Sequence, residues 1–204
     1  MALSARFVEA MGFAAELHRD QVRKGTCIPY LAHLLGVASI ALEHGADEDE
    51  AIAALLHDAV EDQGGMTTRE AIRKRFGERV ASIVDGCTDS ALTPKPPWRA
   101  RKEAYLEQLA SAPPSVRLVS LSDKLHNVRS LLSDYRAHGE ALWDRFSGGR
   151  DGTLWYYRAL VEAHRAHQGS SLLEDLDQAV TELEALAAHG APPAGVRTAR
   201  TSPT

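Results

Sequence analysis

Cysteine is nearly absent from this chain: Cys27 and Cys87 are its two thiols, far apart and without CxxC spacing. That argues against a disulfide framework and against a thiolate zinc ribbon, and makes a reducing cytoplasm the expected setting. No apolar run approaches the roughly 20 residues that a membrane span needs. Glu9 and Glu16 interrupt the opening MALSARFVEAMGFAAELHRD, so a secretory leader is not expected either. Positive charge is not in excess, since 28 acidic residues against 23 basic ones give a formal charge of −5. Nothing global therefore recruits nucleic acid by counterion release. Strand-like β-branched runs are scarce and no fixed-period repeat is visible, which removes sheet folds and helical solenoids.

What is present is alanine, leucine and charge recurring at three-to-four spacing in nearly every segment, with 44% of residues hydrophobic. An all-α single domain over residues 1–189 is expected, a bundle of about eight to ten helices. The pattern predicts helices over about 4–20, 31–44, 48–62, 67–76, 78–88, 99–111, 114–133, 152–167 and 171–188. Thr67 with Glu70, and Ser171 with Glu174, read as capping boxes. Pro94, Pro96 and Pro97 make ALTPKPPW a loop, and SGGRDG at 147–152 a flexible connection. Residues 190–204 hold too little apolar content to offset their ordering entropy and are expected to be disordered.

The chemistry concentrates in AIAALLHDAVED. Ile52, Leu55, Leu56, Ala59 and Val60 form an apolar stripe of helical period, interrupted by His57, Asp58, Glu61 and Asp62. Three carboxylates and an imidazole beside an apolar stripe repel and desolvate one another, a cost that a bound cation offsets. Upstream, His33 stands among Leu34, Val37 and Ile40; by itself this is commonly a satisfied core histidine. Downstream, Asp123 interrupts the apolar run of VRLVSLSDKLHNVRSLL, where a carboxylate is expensive unless paired, with Lys124 its simplest partner. Taken together the order H…HD…D predicts one divalent cation held by His33, His57, Asp58 and Asp123. Two imidazoles and two carboxylates without thiolate suit Mn²⁺, with Zn²⁺ or Fe²⁺ as alternatives. Against an acidic net charge, a phosphate-bearing substrate needs a local basic pocket. Arg19, Arg23 and Lys24 are the candidates for it, with Arg99, Arg101 and Lys102 from a distant segment, though such clusters are commonly solvated helix faces.

Four blocks, AAELHRDQVRKGTCIPYLAH, AALLHDAVEDQGGMT, FGERVASIVDGCTD and LVSLSDKLHNVRSLL, resemble in order and spacing the HD-domain hydrolases of the RelA/SpoT alarmone family. The likeness is to the stand-alone small alarmone hydrolases of the metazoan SpoT homologue type and spans about residues 4–165. It implies a helical HD-domain bundle, the same four cation ligands, and a catalytic acidic pair at Glu61 and Asp62. The family's RK motif falls on Arg23 and Lys24, which implies contacts to substrate phosphate and nucleoside, and its HN motif falls on His126 and Asn127. A further phosphate-binding cation falls on Arg101 or Lys102. Leu34 and Ser122 depart from the family's usual proline and alanine, and GTCI alters the loop after RK, which borders the expected base pocket and leaves the purine open.

The resemblance implies a phosphorylated purine nucleotide as substrate. The reaction would be Mn²⁺-dependent removal of the 3′-pyrophosphate from ppGpp or pppGpp, with Glu61 and Asp62 orienting or deprotonating water. Related activities on adenosine alarmones or the 2′-phosphate of NADPH are alternatives, as is a catalytically silent nucleotide-binding module. No synthetase or regulatory segment of the family is recognisable, so a single hydrolytic activity is expected. Tyr156, with Trp155 and Tyr157, is a candidate for stacking on the nucleoside, although aromatic clusters on helices are usually core. His18 reads as supporting rather than ligating, Cys87 as a small buried residue, and His44, His138, His164, His167 and His189 as solvated. Oligomeric state is open.

Overall fold

The computed structural model describes residues 2–88, 96–165 and 170–190. The described chain runs through α1 (Ala5–Leu17), α2 (Leu31–Glu43), α3 (Glu48–Leu56), α4 (Ala59–Asp62), α5 (Met66–Phe76) and α6 (Glu78–Cys87). It continues through α7 (Trp98–Ala110), α8 (Pro114–His138), a 3-10 segment (Gly139–Arg145), α9 (Gly149–Arg165) and α10 (Ser171–His189). The all-α expectation holds. Among the described residues, extended pairing is confined to an isolated bridge between Val22 and Pro29, and no helix is long and apolar enough to cross a membrane.

Two helices organise the interior. Every residue of α3 from Ala51 to Leu56 is buried, and burying Ile52, Leu55 and Leu56 contributes about 1.5–3 kcal/mol each. Its polar start is fixed by a reciprocal cap: the Asp47 carboxylate accepts from the Glu50 amide, and the Glu50 side chain accepts from the Asp47 amide. The 25-residue α8 opens with Pro114 in its first turn and packs along α2, α3, α6 and α10. Gly139, at φ 59°, ends it in a conformation that a side chain would strain.

Several boundaries differ from expectation, each for a local reason. The helix expected over 48–62 is broken: α3 stops at Leu56 and α4 starts at Ala59, with His57 and Asp58 in the step between. The Thr67–Glu70 box does not form, because Gly65, at φ 58°, starts α5 one residue earlier, at Met66. Ser171 lies inside α10, whose cap is Ser170. The stretch SGGRDG is largely the beginning of α9. Its glycines serve packing, since a Cβ on Gly148 would lie 2.7 Å from the Trp98 ring and one on Gly152 3.2 Å from it. Helix α8 extends past 133 and hands over to the 3-10 segment. Pro96 and Pro97 precede α7 as non-helical residues, whereas Pro94, His167 and residues 191–204 lie outside the described residues.

Candidate metal centre and substrate cavity

Three helical segments bring the four expected ligands together. His33 occupies the first turn of α2, His57 and Asp58 fill the step after the buried α3, and Asp123 lies midway along α8. His57 Nε2 is 3.0 Å from Asp58 Oδ2 and 3.5 Å from Asp123 Oδ1. His33 Nε2 is 3.6 Å and 3.2 Å from the same two oxygens. The ligand atoms of His33, His57 and Asp58 all fall within 4.8 Å of one another. From the step between α3 and α4, His57 reaches Asp123 of α8, while Asp58 meets Tyr30 and His33 at the start of α2.

The donor set fits a divalent cation on evidence internal to the protein. Both Nε2 atoms are buried and make no hydrogen bond, which is expensive for imidazoles unless something else occupies them. The second nitrogen of each ring is committed. His57 Nδ1 donates to the Ala54 carbonyl at 2.9 Å, and His33 Nδ1 lies 2.9 Å from His126 Nδ1. Such outer contacts orient ligand imidazoles.

The carboxylates are anchored as well. Tyr30 donates to Asp58 Oδ2 at 2.5 Å. Asp123 accepts from Asn127 Nδ2 at 2.6 Å through Oδ1 and is paired with Lys124 through Oδ2. Burial pushes both carboxyls up, but His57 beside Asp58, and Lys124 with His57 beside Asp123, hold them well below the usual carboxylate range. For His57, burial works downward, and the charges of Asp58 and Asp123 outweigh it and hold the imidazole well above its ordinary value. His126 goes the other way, down to about 4, because burial and the neighbouring charges of His33 and Arg23 disfavour its proton.

Around this cluster the loop between α1 and α2 folds back through backbone bonds from Arg23 to Ile28 and from Tyr30 to Gln21. It carries Arg23 and Lys24 into a cavity of about 440 Å³ that also reaches His33, His126, Asn127 and Tyr157. Arg23 Nη2 donates to Asn127 Oδ1 at 2.8 Å, so a chain Arg23–Asn127–Asp123 links the basic loop to the ligand cluster. Asp62, in α4, accepts from Gln21 Nε2 at 2.8 Å, and the Gln21 oxygen accepts from Gln63 at 2.6 Å. His18 stacks on Tyr30 and lies 2.6 Å from the same Gln21 oxygen.

Other expected residues lie elsewhere. Arg101, Lys102 and Tyr156 do not line the cavity. Lys102 sits 4.8 Å above the Tyr156 ring on the face where α7 meets α9, while Arg99 covers Trp155. Tyr157, the neighbour of Tyr156, lines the cavity instead. Arg19 pairs with Glu16 on the surface. His164, expected in solvent, is buried and donates to the Leu160 carbonyl; Cys87 is buried and Cys27 exposed, as free thiols. Tyr30, Gln21 and Asp134 were not anticipated. Tyr30 stands three residues before His33 and Gln21 three after His18, spacings that place neighbours on one side of a turn and that point to them in retrospect.

Fold and site together define a helical hydrolase architecture of the HD type, and the chain belongs to that family: the model described as "HD domain" matches residues 10–154. Guanosine-3′,5′-bis(diphosphate) 3′-pyrophosphohydrolase MESH1 of Xenopus tropicalis is 43% identical over 131 residues, covering 63% of this chain and 70% of the relative. The Homo sapiens protein of that name is 41% identical over 133 residues with the same coverage. A guanosine-3′,5′-bis(diphosphate) 3′-pyrophosphohydrolase of Aquifex aeolicus is 43% identical over 122 residues, 60% of this chain and 17% of that one. A solved structure described as "A metazoan ortholog of SpoT hydrolyzes ppGpp and plays a role in starvation responses" superposes with a TM-score of 0.73 at 29% identity, over 89% of this chain and 97% of the other.

Proposed function

We propose that this chain is a divalent-metal-dependent 3′-pyrophosphohydrolase that converts ppGpp or pppGpp to GDP or GTP and pyrophosphate. The observation that carries the reading is the meeting of His33, His57, Asp58 and Asp123 beside a cavity that His33 lines and whose wall bears Arg23 and Lys24. The names of relatives up to 43% identical support it. His33, His57, Asp58 and Asp123 hold the cation, which we assign as Mn²⁺ from the mixed nitrogen and oxygen donors; when bound, such an ion lowers the pKa of water and polarises a phosphoryl oxygen.

Glu61 and Asp62, in the short helix that follows the ligand pair, orient the attacking water and take its proton. The water oxygen bonds to the phosphorus nearest the ribose, the bond from that phosphorus to the 3′ oxygen breaks, and the 3′ oxygen takes up a proton. Arg23 and Lys24 neutralise the oxyanions, and the bond from Arg23 to Asn127 holds the guanidinium at the cavity wall. Arg101 and Lys102, with Tyr156 beneath the Lys102 amine, lie outside the lining of that cavity and take no part in this reading. The two free thiols suit work in a reducing cytoplasm.

The test is release of pyrophosphate or phosphate from ppGpp, pppApp, NADPH and deoxynucleoside triphosphates, with Mn²⁺ and with chelator. Mn²⁺-dependent pyrophosphate from ppGpp is expected. A metal-loaded protein that binds these nucleotides and turns over none of them would be a silent binding module, and the proposal would be wrong.

A further inference from the structure

The cavity wall changes character along α8. Arg23, bonded to Asn127, and His33 line one part of it; further along the helix, among the described residues that line the cavity, stands a single acidic side chain, Asp134. Asp134 follows Asn127 along α8 by about two helical turns, roughly 10 Å of rise. Its end of the cavity is closed by the 3-10 segment. Arg145 Nη1 lies 3.5 Å from Asp134 Oδ2, and the Arg145 side chain lies so close over Gly25 that a Cβ there would meet it at 2.8 Å. Phe146, next to Arg145 in sequence, and Ile28, three residues after Gly25, add apolar walls.

Arg145 pairs with one oxygen of this carboxylate; its other lone pairs, facing a cavity that receives a polyanion, are unfavourable unless the ligand brings donors to them. On a purine nucleotide esterified at both the 3′ and 5′ oxygens, those donors are the 2′-hydroxyl and the nitrogens of the base. The cation end takes the phosphates, so the group two turns away faces the base. We infer that Asp134 reads the Watson–Crick edge of guanine, its two oxygens accepting from N1–H and the 2-amino group, and so sets the purine specificity of the site. Adenine presents an acceptor at N1 in the same place, and its lone pair opposes a carboxylate. Arg145 keeps the carboxylate turned to the cavity, and the apolar walls exclude water from its contact with the base.

This inference rests on the nucleotide reading above, and its test separates the two. Wild-type kcat/KM is measured on the guanosine, inosine and adenosine 3′,5′-bis(diphosphates); inosine lacks only the 2-amino group. The wild type should favour guanosine over inosine by roughly tenfold and over adenosine by more. Asp134→Asn, whose amide offers one donor and one acceptor, should lose the guanosine preference mainly through KM and gain on adenosine, with its melting temperature unchanged. A wild-type guanosine-to-inosine ratio below about threefold, or a preference that survives Asp134→Asn, overturns the inference. So does an equal loss on all three substrates, the mark of an ion pair that only holds the 3-10 segment in place. Should the variant not fold, the wild-type comparison stands without it. If no bis(diphosphate) is turned over, the hydrolase reading fails, and equilibrium binding of the same three nucleotides still decides whether the guanine contact exists.

Discussion

His33 and His126 meet Nδ1 to Nδ1 at 2.9 Å, one on α2 and the other on α8. When His33 turns Nε2 to a cation, its proton must sit on Nδ1, so His126 accepts through an unprotonated Nδ1, consistent with the low proton affinity of that ring. The His126 ring fits only because Gly36 faces it; a Cβ there would lie 2.3 Å from two ring atoms. Gly36→Ala should push the imidazole aside and weaken Mn²⁺ binding about 10–100-fold, read by calorimetric titration. Wild-type affinity in that variant would show that His126 does not orient His33.

In the proposed mechanism Glu61→Gln removes a proton acceptor and leaves the four proposed ligands intact. Metal content by elemental analysis should stay near wild type, while kcat falls about 10²–10⁴-fold. Full activity in a metal-loaded Glu61→Gln enzyme would remove Glu61 from the chemistry.

Chelation should both stop turnover and soften the protein. The proposed ligands come from α2, the α3–α4 step and α8, so an ion held by them would bind the folded state and not the unfolded chain. At a hundredfold excess over Kd this is worth about 2.7 kcal/mol. The melting temperature should therefore rise with Mn²⁺ concentration in the wild type and stay flat in Asp123→Asn. Equal shifts in both would place the ion elsewhere.

The cap of α3 offers a test of stability apart from chemistry. Asp47→Ala removes the acceptor for the Glu50 amide and should cost about 1 kcal/mol, measured by urea unfolding, with turnover at 25 °C retained. A hydrogen bond from Arg79, with the Glu50 amide, holds the Asp47 carboxyl below its ordinary value. Its contribution is present above the unfolded value near 3.8 and is lost as pH falls through the lower folded one. The wild type should lose more stability than Asp47→Ala on acidification below about pH 4. Parallel acid curves would show that the cap is not coupled to that carboxyl.

Much of this arrangement can be read from residue order. Period alone places α2, α6 and most of α8, and the expense of a lone carboxylate in LVSLSDKL points to Asp123. The break at His57 and Asp58 is not legible, because Ile52, Leu55, Leu56, Ala59 and Val60 keep helical period across it and both residues hold right-handed helical dihedrals. His126 serving His33 is equally hidden, since the partners lie 93 residues apart. Tyr157 rather than Tyr156 faces the cavity because the rotation of α9 is set by its packing on α7 and α10, which residue spacing does not report. The extension of α9 over SGGRDG was missed because its glycines read as flexibility, whereas they make room for Trp98.

The placement of Asp123 on α8 also has a consequence for biosynthesis. A ribosome that has released α1 to α7 has made three of the four ligands, but α3 still lacks the long helix that covers it. The nascent chain at that stage has no complete cage, and tight uptake of the ion waits until α8 has emerged and docked. For the proposed cation site, maturation would thereby be ordered, with the backbone assembled first and the metal acquired afterwards.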